Sequence, residues 1–243
     1  MSNNLIDKVV ILTGAGGGIG RAAALKLAQI QAKLILLGGN NREKLEQTRV
    51  MASEYTFCTA LPGDLTDLEF IKSAIRKITE TFSAVDVLIN NAGTAINTPA
   101  AEITPELYDR VMNINCKAPF FLTQQVLPYL KKSSSATIIN IASVVAHAGY
   151  PLQSVYAASK HALLGWTKSL ASEYYKENIR VHAISPGGVF TDMVKVSRPD
   201  LTGEGMIQPE EIAEIIHFLL AHRGNAVIDE ILVHRVNKEP FLV

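Results

Sequence analysis

The sequence has few of the features that mark secreted, membrane-bound or nucleic-acid-binding proteins. Cys58 and Cys116 are its only cysteines, too few for a disulfide framework, and they are read as buried reduced thiols with no metal site. Lysine plus arginine and aspartate plus glutamate both number 23. Without a basic block, this balance gives no electrostatic footprint for nucleic acid or an anionic membrane. No apolar stretch reaches the roughly eighteen residues of a membrane span. Met1-Ser-Asn-Asn-Leu-Ile-Asp7 lacks the charged start and apolar core of a signal peptide. Internal repeats, low-complexity tracts and linkers are missing too. What remains is the expectation of a soluble cytoplasmic protein that acts on a small molecule.

With 48% hydrophobic residues among 243, the chain has enough apolar surface for one large α/β domain. Apolar, β-branched runs at Lys8–Thr13, Lys33–Leu37, Thr56–Leu61, Val85–Asn90, Thr137–Ala142, Arg180–Ser185 and Ile228–Val233 read as buried strands. A helix opens at Arg21–Ala28, and the other helical patterns lie at Arg42–Ser53, Leu68–Phe82, Thr104–Lys132, Ser154–Asn178 and Pro209–His222. Strict alternation with continuously apolar strands predicts a single-domain, Rossmann-type, doubly wound parallel sheet with helices on both faces, spanning 1–243. Ligands then sit at the carboxyl ends of the strands. Val194–Ile207 reads as a loop near the substrate.

Two motifs carry chemistry. Thr13-Gly-Ala-Gly-Gly-Gly-Ile-Gly20 lies between the first strand and a helix built from strong helix formers. In that place, backbone without Cβ atoms can approach a pyrophosphate, and the helix N-terminus offers it N–H groups and the positive dipole end. Tyr156-Ala-Ala-Ser-Lys160 sets a phenol and an ammonium one helical turn apart, thirteen residues after Ser143. A phenol with its ordinary pKa near ~10 is a poor acid-base catalyst at neutral pH unless a cation stabilises its phenolate.

With these motifs in view, the chain resembles the classical short-chain dehydrogenases/reductases from about Lys8 to His222. The glycine run is similar to that family's T-G-x-x-x-G-x-G, and Asn90-Asn-Ala-Gly93 to its N-N-A-G. Asn115, Ser143 and the Tyr156/Lys160 pair match its catalytic positions, and Pro186-Gly187 with Thr191 resembles its P-G-x-x-x-T turn. The resemblance implies that Ser143 and Tyr156 polarise a carbonyl or alcohol oxygen, that Tyr156 moves the proton, and that Lys160 supports the phenolate and the nicotinamide ribose. Asn115 would hold a water that relays protons.

For the cofactor, the resemblance implies contacts from Thr13, Gly14, Gly16, Gly18, Ile19 and Gly20 at the turn. Asp64 and Leu65 would meet the adenine, with Asp64 also suited to cap the next helix. Asn91, Ala92, Gly93, Tyr156 and Lys160 would line the centre, and Pro186, Gly187, Val189 and Thr191 the nicotinamide end. His147, Tyr150 and Gln153 fall on the substrate side. Discrimination between the two nicotinamide cofactors rests on the end of the second strand, where Leu37-Gly-Gly-Asn-Asn-Arg42 carries no carboxylate. Asn40, Asn41 and Arg42 can meet a 2′-phosphate there, which favours NADP over NAD. The C-terminus departs from the family's T-G-x-x-x-x-x-D-G-G strand. That departure points to a small carbonyl or secondary alcohol as substrate, with a 3-oxoacyl-thioester reductase and a non-catalytic dinucleotide-sensing protein as alternatives. The resemblance also implies a homo-oligomer, a dimer or a tetramer.

Overall fold

The computed structural model describes residues 5–39, 41–197 and 202–239, with the side chains of 195–197 outside that description. Seven strands form one sheet: β1 (Val9–Thr13), β2 (Lys33–Leu37), β3 (Cys58–Leu61), β4 (Val87–Asn90), β5 (Thr137–Ile141), β6 (Arg180–Pro186) and β7 (Glu230–Val233). All neighbours pair in parallel, in the order β3-β2-β1-β4-β5-β6-β7. The chain leaves β1 in one direction to build β2 and β3 and in the other to build β4 to β7, so the strand order reverses between β1 and β4. A crevice forms at such a reversal, because the crossovers on its two sides run to opposite faces.

The helices are α1 (Gly18–Gln29), α2 (Arg42–Ser53), α3 (Leu68–Thr81), α4 (Pro105–Met112), α5 (Ala118–Leu130), α6 (Ser154–Tyr174), α7 (Asp192–Ser197) and α8 (Pro209–Ala221). Alternate residues of each strand feed two cores. Leu12, Leu36 and Ile139 pack with α1 and α8, while Ile11, Ile35 and Leu88 pack with α3 and α5. Both faces are dry, which explains why the strands read as unbroken apolar runs.

Boundaries differ from the sequence pattern where side chains intervene. The single helix expected over Thr104–Lys132 is two helices separated by a π turn at Asn113–Lys117. Pro119, with no N–H, sits in the first turn of α5 just beyond it. The helix expected to reach Asn178 stops at Tyr174, and Asn178 closes a final 3₁₀ turn in the left-handed conformation, φ 59°. Part of the segment expected as a loop after Val194 belongs to α7, and residues 198–201 of it lie outside the described residues. The next helix after β3 is capped by Asp67, whose carboxylate accepts from Glu69 N at 2.9 Å, and not by Asp64.

One polar network crosses the second core. Asn90 Nδ2 donates to Asn140 Oδ1 at 2.8 Å and to Thr123 Oγ1 at 3.1 Å, and Asn140 Nδ2 donates to Thr167 Oγ1 at 2.8 Å. These bonds fix α5 and α6 against β4 and β5, immediately below the carboxyl ends that carry Asn91 and Ser143.

Candidate active site

A cavity of about 800 Å³ opens at the carboxyl ends of the strands, on the reversal between β1 and β4, within the usual range for small-molecule sites. One end is made of backbone. Gly14 and Gly18 have φ of +71° and +50°, left-handed values that favour glycine. A methyl group on Gly14 would lie 2.8 Å from Ala92 Cα, and one on Gly20 only 2.2 Å from Gly14 O. The turn closes that tightly because Thr13 and Asn91 tie it to the loop after β4. Thr13 Oγ1 accepts from Asn91 N and Ala92 N, both at 3.0 Å, and Asn91 Nδ2 donates to Thr13 O at 3.0 Å and Gly14 O at 3.2 Å.

The helix that follows has its N-terminus open. α2, α3, α4 and α8 each close theirs with a side chain, from Asn41, Asp67, Thr104 and Gln208. Gly17 before α1 supplies no such cap, and the first turn of α1 carries no acidic residue. Its first N–H groups and the positive end of its dipole are therefore available to an anion in the cavity. A glycine cradle too tight for added Cβ atoms at Gly14, Gly18 and Gly20, beside an uncapped helix start, fits the pyrophosphate of a dinucleotide.

The other end is made of side chains. α6 brings Tyr156 and Lys160 to the cavity wall, and β5 brings Ser143. Lys160 is buried, and its Nζ donates to Ile141 O at 2.8 Å and lies 6.0 Å from the centre of the Tyr156 ring. Loss of hydration with no anion nearby pushes its ammonium down from the usual 10.5 to about 8. Burial pushes the Tyr156 phenol up from its ordinary value, and the hydrogen bond with Ser143 pulls it back in part. Ser143 Oγ also donates to Pro186 O at 3.3 Å. Asn115, in the π turn, is buried with its side chain fully engaged. Oδ1 accepts from Thr94 N at 2.8 Å, while Nδ2 donates to Thr94 O at 2.8 Å and Ser159 Oγ at 3.0 Å. Wide helical turns of this kind often mark functional sites. Here the turn carries Asn115 against α6, one residue from Lys160, with both donors spent on protein partners.

Most residues singled out in the sequence converge on this wall. Gly14, Gly18, Ile19, Asp64, Leu65 and Asn91 line it, as do Ala92, Gly93, Pro186, Gly187, Val189 and Thr191. Thr13, Gly16 and Gly20 stand behind it as supports of the turn. Asp64 keeps one oxygen on Thr66, whose N and Oγ1 both donate at 2.8 Å. Asn41 and Arg42 are exposed and off the wall, with Asn41 Oδ1 capping α2 through Lys44 N at 2.9 Å. Asn40 lies outside the described residues.

The three residues placed on the substrate side are also off the wall. His147 Nε2 meets Glu230 Oε1 at 2.6 Å, an oxygen that also accepts from Ser185 Oγ at 2.5 Å. Gln153 Nε2 donates to Asn97 Oδ1 at 2.9 Å, and Tyr150 is half-buried. Gly39, Thr94, Arg110, Asn113 and Ile114 line the cavity without having been singled out. Asn113 and Ile114 precede Asn115 in the π turn, and only a break in the helical period could have flagged them.

A sequence profile described as short chain dehydrogenase matches residues 8–202. The 3-oxoacyl-(acyl-carrier-protein) reductase of Thermotoga maritima is 35% identical over 245 residues, covering 94% of this chain and 96% of that protein. A short chain dehydrogenase of Shigella flexneri, solved in complex with NADP, superposes with a TM-score of 0.89 at 32% identity, over 96% of this chain and 99% of that one. The 3-ketoacyl-(acyl-carrier-protein) reductase of Brucella melitensis, in complex with NADH, gives 0.85 at 26% identity over 95% and 98%. Profile, relative and superposed structures point to one family, and the chain is an oxidoreductase of the short chain dehydrogenase family.

Proposed function

We propose that the protein is a cytoplasmic, homo-oligomeric NADP(H)-dependent reductase of a small carbonyl compound. The observation that carries this reading is the pairing of Tyr156 with Lys160 on the wall of a cavity whose opposite end is an uncapped helix start. When bound, the cofactor supplies or accepts a hydride at its nicotinamide. The residues then have to stabilise charge on the substrate oxygen and move one proton. Ser143 and Tyr156 donate hydrogen bonds to that oxygen, and Tyr156 passes it the proton. Burial keeps the phenol protonated at neutral pH, which suits it to act as the acid, in the direction of carbonyl reduction. Lys160, still cationic below its pKa of about 8, stabilises the phenolate left behind. Asn115 holds the loop at Thr94 against Ser159, the neighbour of Lys160 on α6, and so keeps Lys160 in place. His147 and Gln153 brace the loops at the substrate end through Glu230 and Asn97.

NADP is favoured over NAD because no carboxylate stands at the end of β2 to accept from a ribose 2′-hydroxyl, and the Shigella flexneri relative was solved with NADP. The exposed aromatics Tyr108 and Phe120, on α4 and α5, support assembly through these helices. Similarity to the Thermotoga maritima enzyme keeps a 3-oxoacyl thioester as the second substrate reading. Purified protein should oxidise NADPH with aldehydes, ketones or oxoacyl thioesters, and the panel separates the two readings. Tyr156→Phe should retain NADPH binding and lose about 10²- to 10⁴-fold in turnover. Full turnover by that variant would remove Tyr156 from the chemistry, and inactivity of the wild type across the panel would favour a dinucleotide-sensing role.

A further inference from the structure

Two charged side chains from distant parts of the chain meet at the outer rim of the glycine turn. Lys44, in the first turn of α2, places Nζ 2.8 Å from Oδ2 of Asp192, the first residue of α7. A methyl group on Gly16 would lie 3.5 Å from Lys44 Cβ, and one on Gly18 would lie 2.8 Å from Thr191 Cγ2. The bridge therefore runs from one flank of the turn to the other. Beneath it, the position where a side chain of Gly17 would begin has nothing within 4 Å, so the turn itself leaves that space open.

The backbone of Lys44 is held by Arg21, while its ammonium is held by the exposed carboxylate of Asp192. Arg21 Nη2 donates to Gly16 O at 2.9 Å and to Lys44 O at 3.2 Å, and Arg21 Nε donates to Thr48 Oγ1 at 2.9 Å. These bonds fix the start of α2 against the turn. The two charged ends are open to water, with side chains 48% and 65% exposed for Lys44 and Asp192. An ion pair that exposed is worth little. A phosphate offers the same ammonium more charge and several acceptor oxygens. Asp192 lines the cavity together with Gly17, Gly18 and Gly39, so a phosphate there would meet its carboxylate as a like charge.

From this geometry we infer that Lys44 is a phosphate-binding residue of the site and that Asp192 holds its place: a dinucleotide phosphate takes Lys44 over from Asp192, which unties α7 from α2. The inference rests on the proposed binding of a nicotinamide dinucleotide. It goes beyond that reading by assigning the cation that reads the phosphate and by coupling it to the segment over the nicotinamide end. Lys44 and Arg42 are both exposed and both stand outside the cavity lining, but the Lys44 ammonium reaches across the glycine turn to Asp192, which does line it.

Titration calorimetry of the purified protein with NADPH and with NADH tests it, and the two single variants should move in opposite directions. Lys44→Met should weaken NADPH by about tenfold, the size of one lost hydrogen bond to a charged group. Asp192→Asn should tighten NADPH by about two- to fivefold, because the competing carboxylate is gone. In Lys44→Met/Asp192→Asn that gain should vanish. Unchanged NADH binding by Lys44→Met assigns Lys44 to the 2′-phosphate, and equal weakening of both cofactors assigns it to the pyrophosphate. Both residues are on the surface, so melting temperatures should match the wild type. Unaltered NADPH affinity in Lys44→Met, or weaker binding by Asp192→Asn, would overturn the assignment while leaving the proposed function standing. Binding of neither cofactor by the wild type would end both.

Discussion

The two ends of the cavity are built by different means. At the glycine end the structural agents are missing side chains: Gly14, Gly18 and Gly20 leave room for backbone to approach backbone, and Thr13 and Asn91 lock that approach with four hydrogen bonds. At the Tyr156 end the agents are polar groups held in a dry place. Lys160 has lost its water and gained one carbonyl, and its depressed pKa records the cost. The first end resembles a packing problem already solved. The second holds unfavourable free energy in a position where a reaction can use it.

The comparison would break most visibly at Lys160. Lys160→Met should lose about 10²- to 10⁴-fold in turnover yet hold or raise the melting temperature at neutral pH. The pH dependence fixes the sign. Folding lowers the Lys160 pKa from 10.5 to about 8, so between those values the unfolded chain binds more protons and stability rises with pH. The penalty is fully present below pH 8, and the shift corresponds to on the order of 3 kcal/mol. Burial also pushes the Cys58 thiol up from 9.0 to about 12, which opposes the rise above about pH 9. The readout is therefore a difference: between about pH 8 and 10.5 the stability of the wild type should rise relative to that of Lys160→Met in chemical denaturation. A loss of stability in the variant at every pH would mean that the ammonium is comfortable where it sits.

Gly20→Ala should act in the opposite sense. Its methyl group would press on Gly14 O at 2.2 Å, and overpacking against backbone commonly costs about 1–3 kcal/mol. Cofactor binding should fall with stability, because the cradle itself is displaced. Gly17→Ala is the control, since nothing lies within 4 Å of the added methyl and φ is −177°. Equal melting curves for the two variants would deny that close approach shapes this end.

The smallest effects belong to the outer brace of the reactive end. His147→Ala removes a partly exposed contact with the Glu230 carboxylate and should cost about 0.5–1 kcal/mol. Glu230→Leu should cost more, about 1–3 kcal/mol, because Ser185 is fully buried and its hydroxyl would lose the carboxylate acceptor. If the order were reversed, His147 would carry a role that its bond to Glu230 does not explain.

Much of the glycine end was legible because its information is local. A strand, a glycine run and a helix follow one another within about twenty residues, and strand periodicity with the missing Cβ atoms suffices to place them. Tyr156 and Lys160 were legible for the same reason, being one turn apart on one helix. The helix break at Asn113–Lys117 was legible only in part: Pro119 interrupts the run from Thr104 to Lys132, but nothing local specifies the wide turn before it. It arises where Asn115 finds Thr94 and Ser159, partners 21 and 44 residues away.

The sequence by itself thus determined the alternation of elements, the parallel sheet and the candidate groups for the chemistry, since each depends on residue type and short spacing. Only the tertiary structure decided which of those groups are already committed. Asn41 became a helix cap, His147 was drawn to Glu230, and Lys44 met Asp192 across 148 positions of chain. Hydrogen bonds and ion pairs act over about 3 Å in space, and no one-dimensional pattern records which distant residues folding will bring that close.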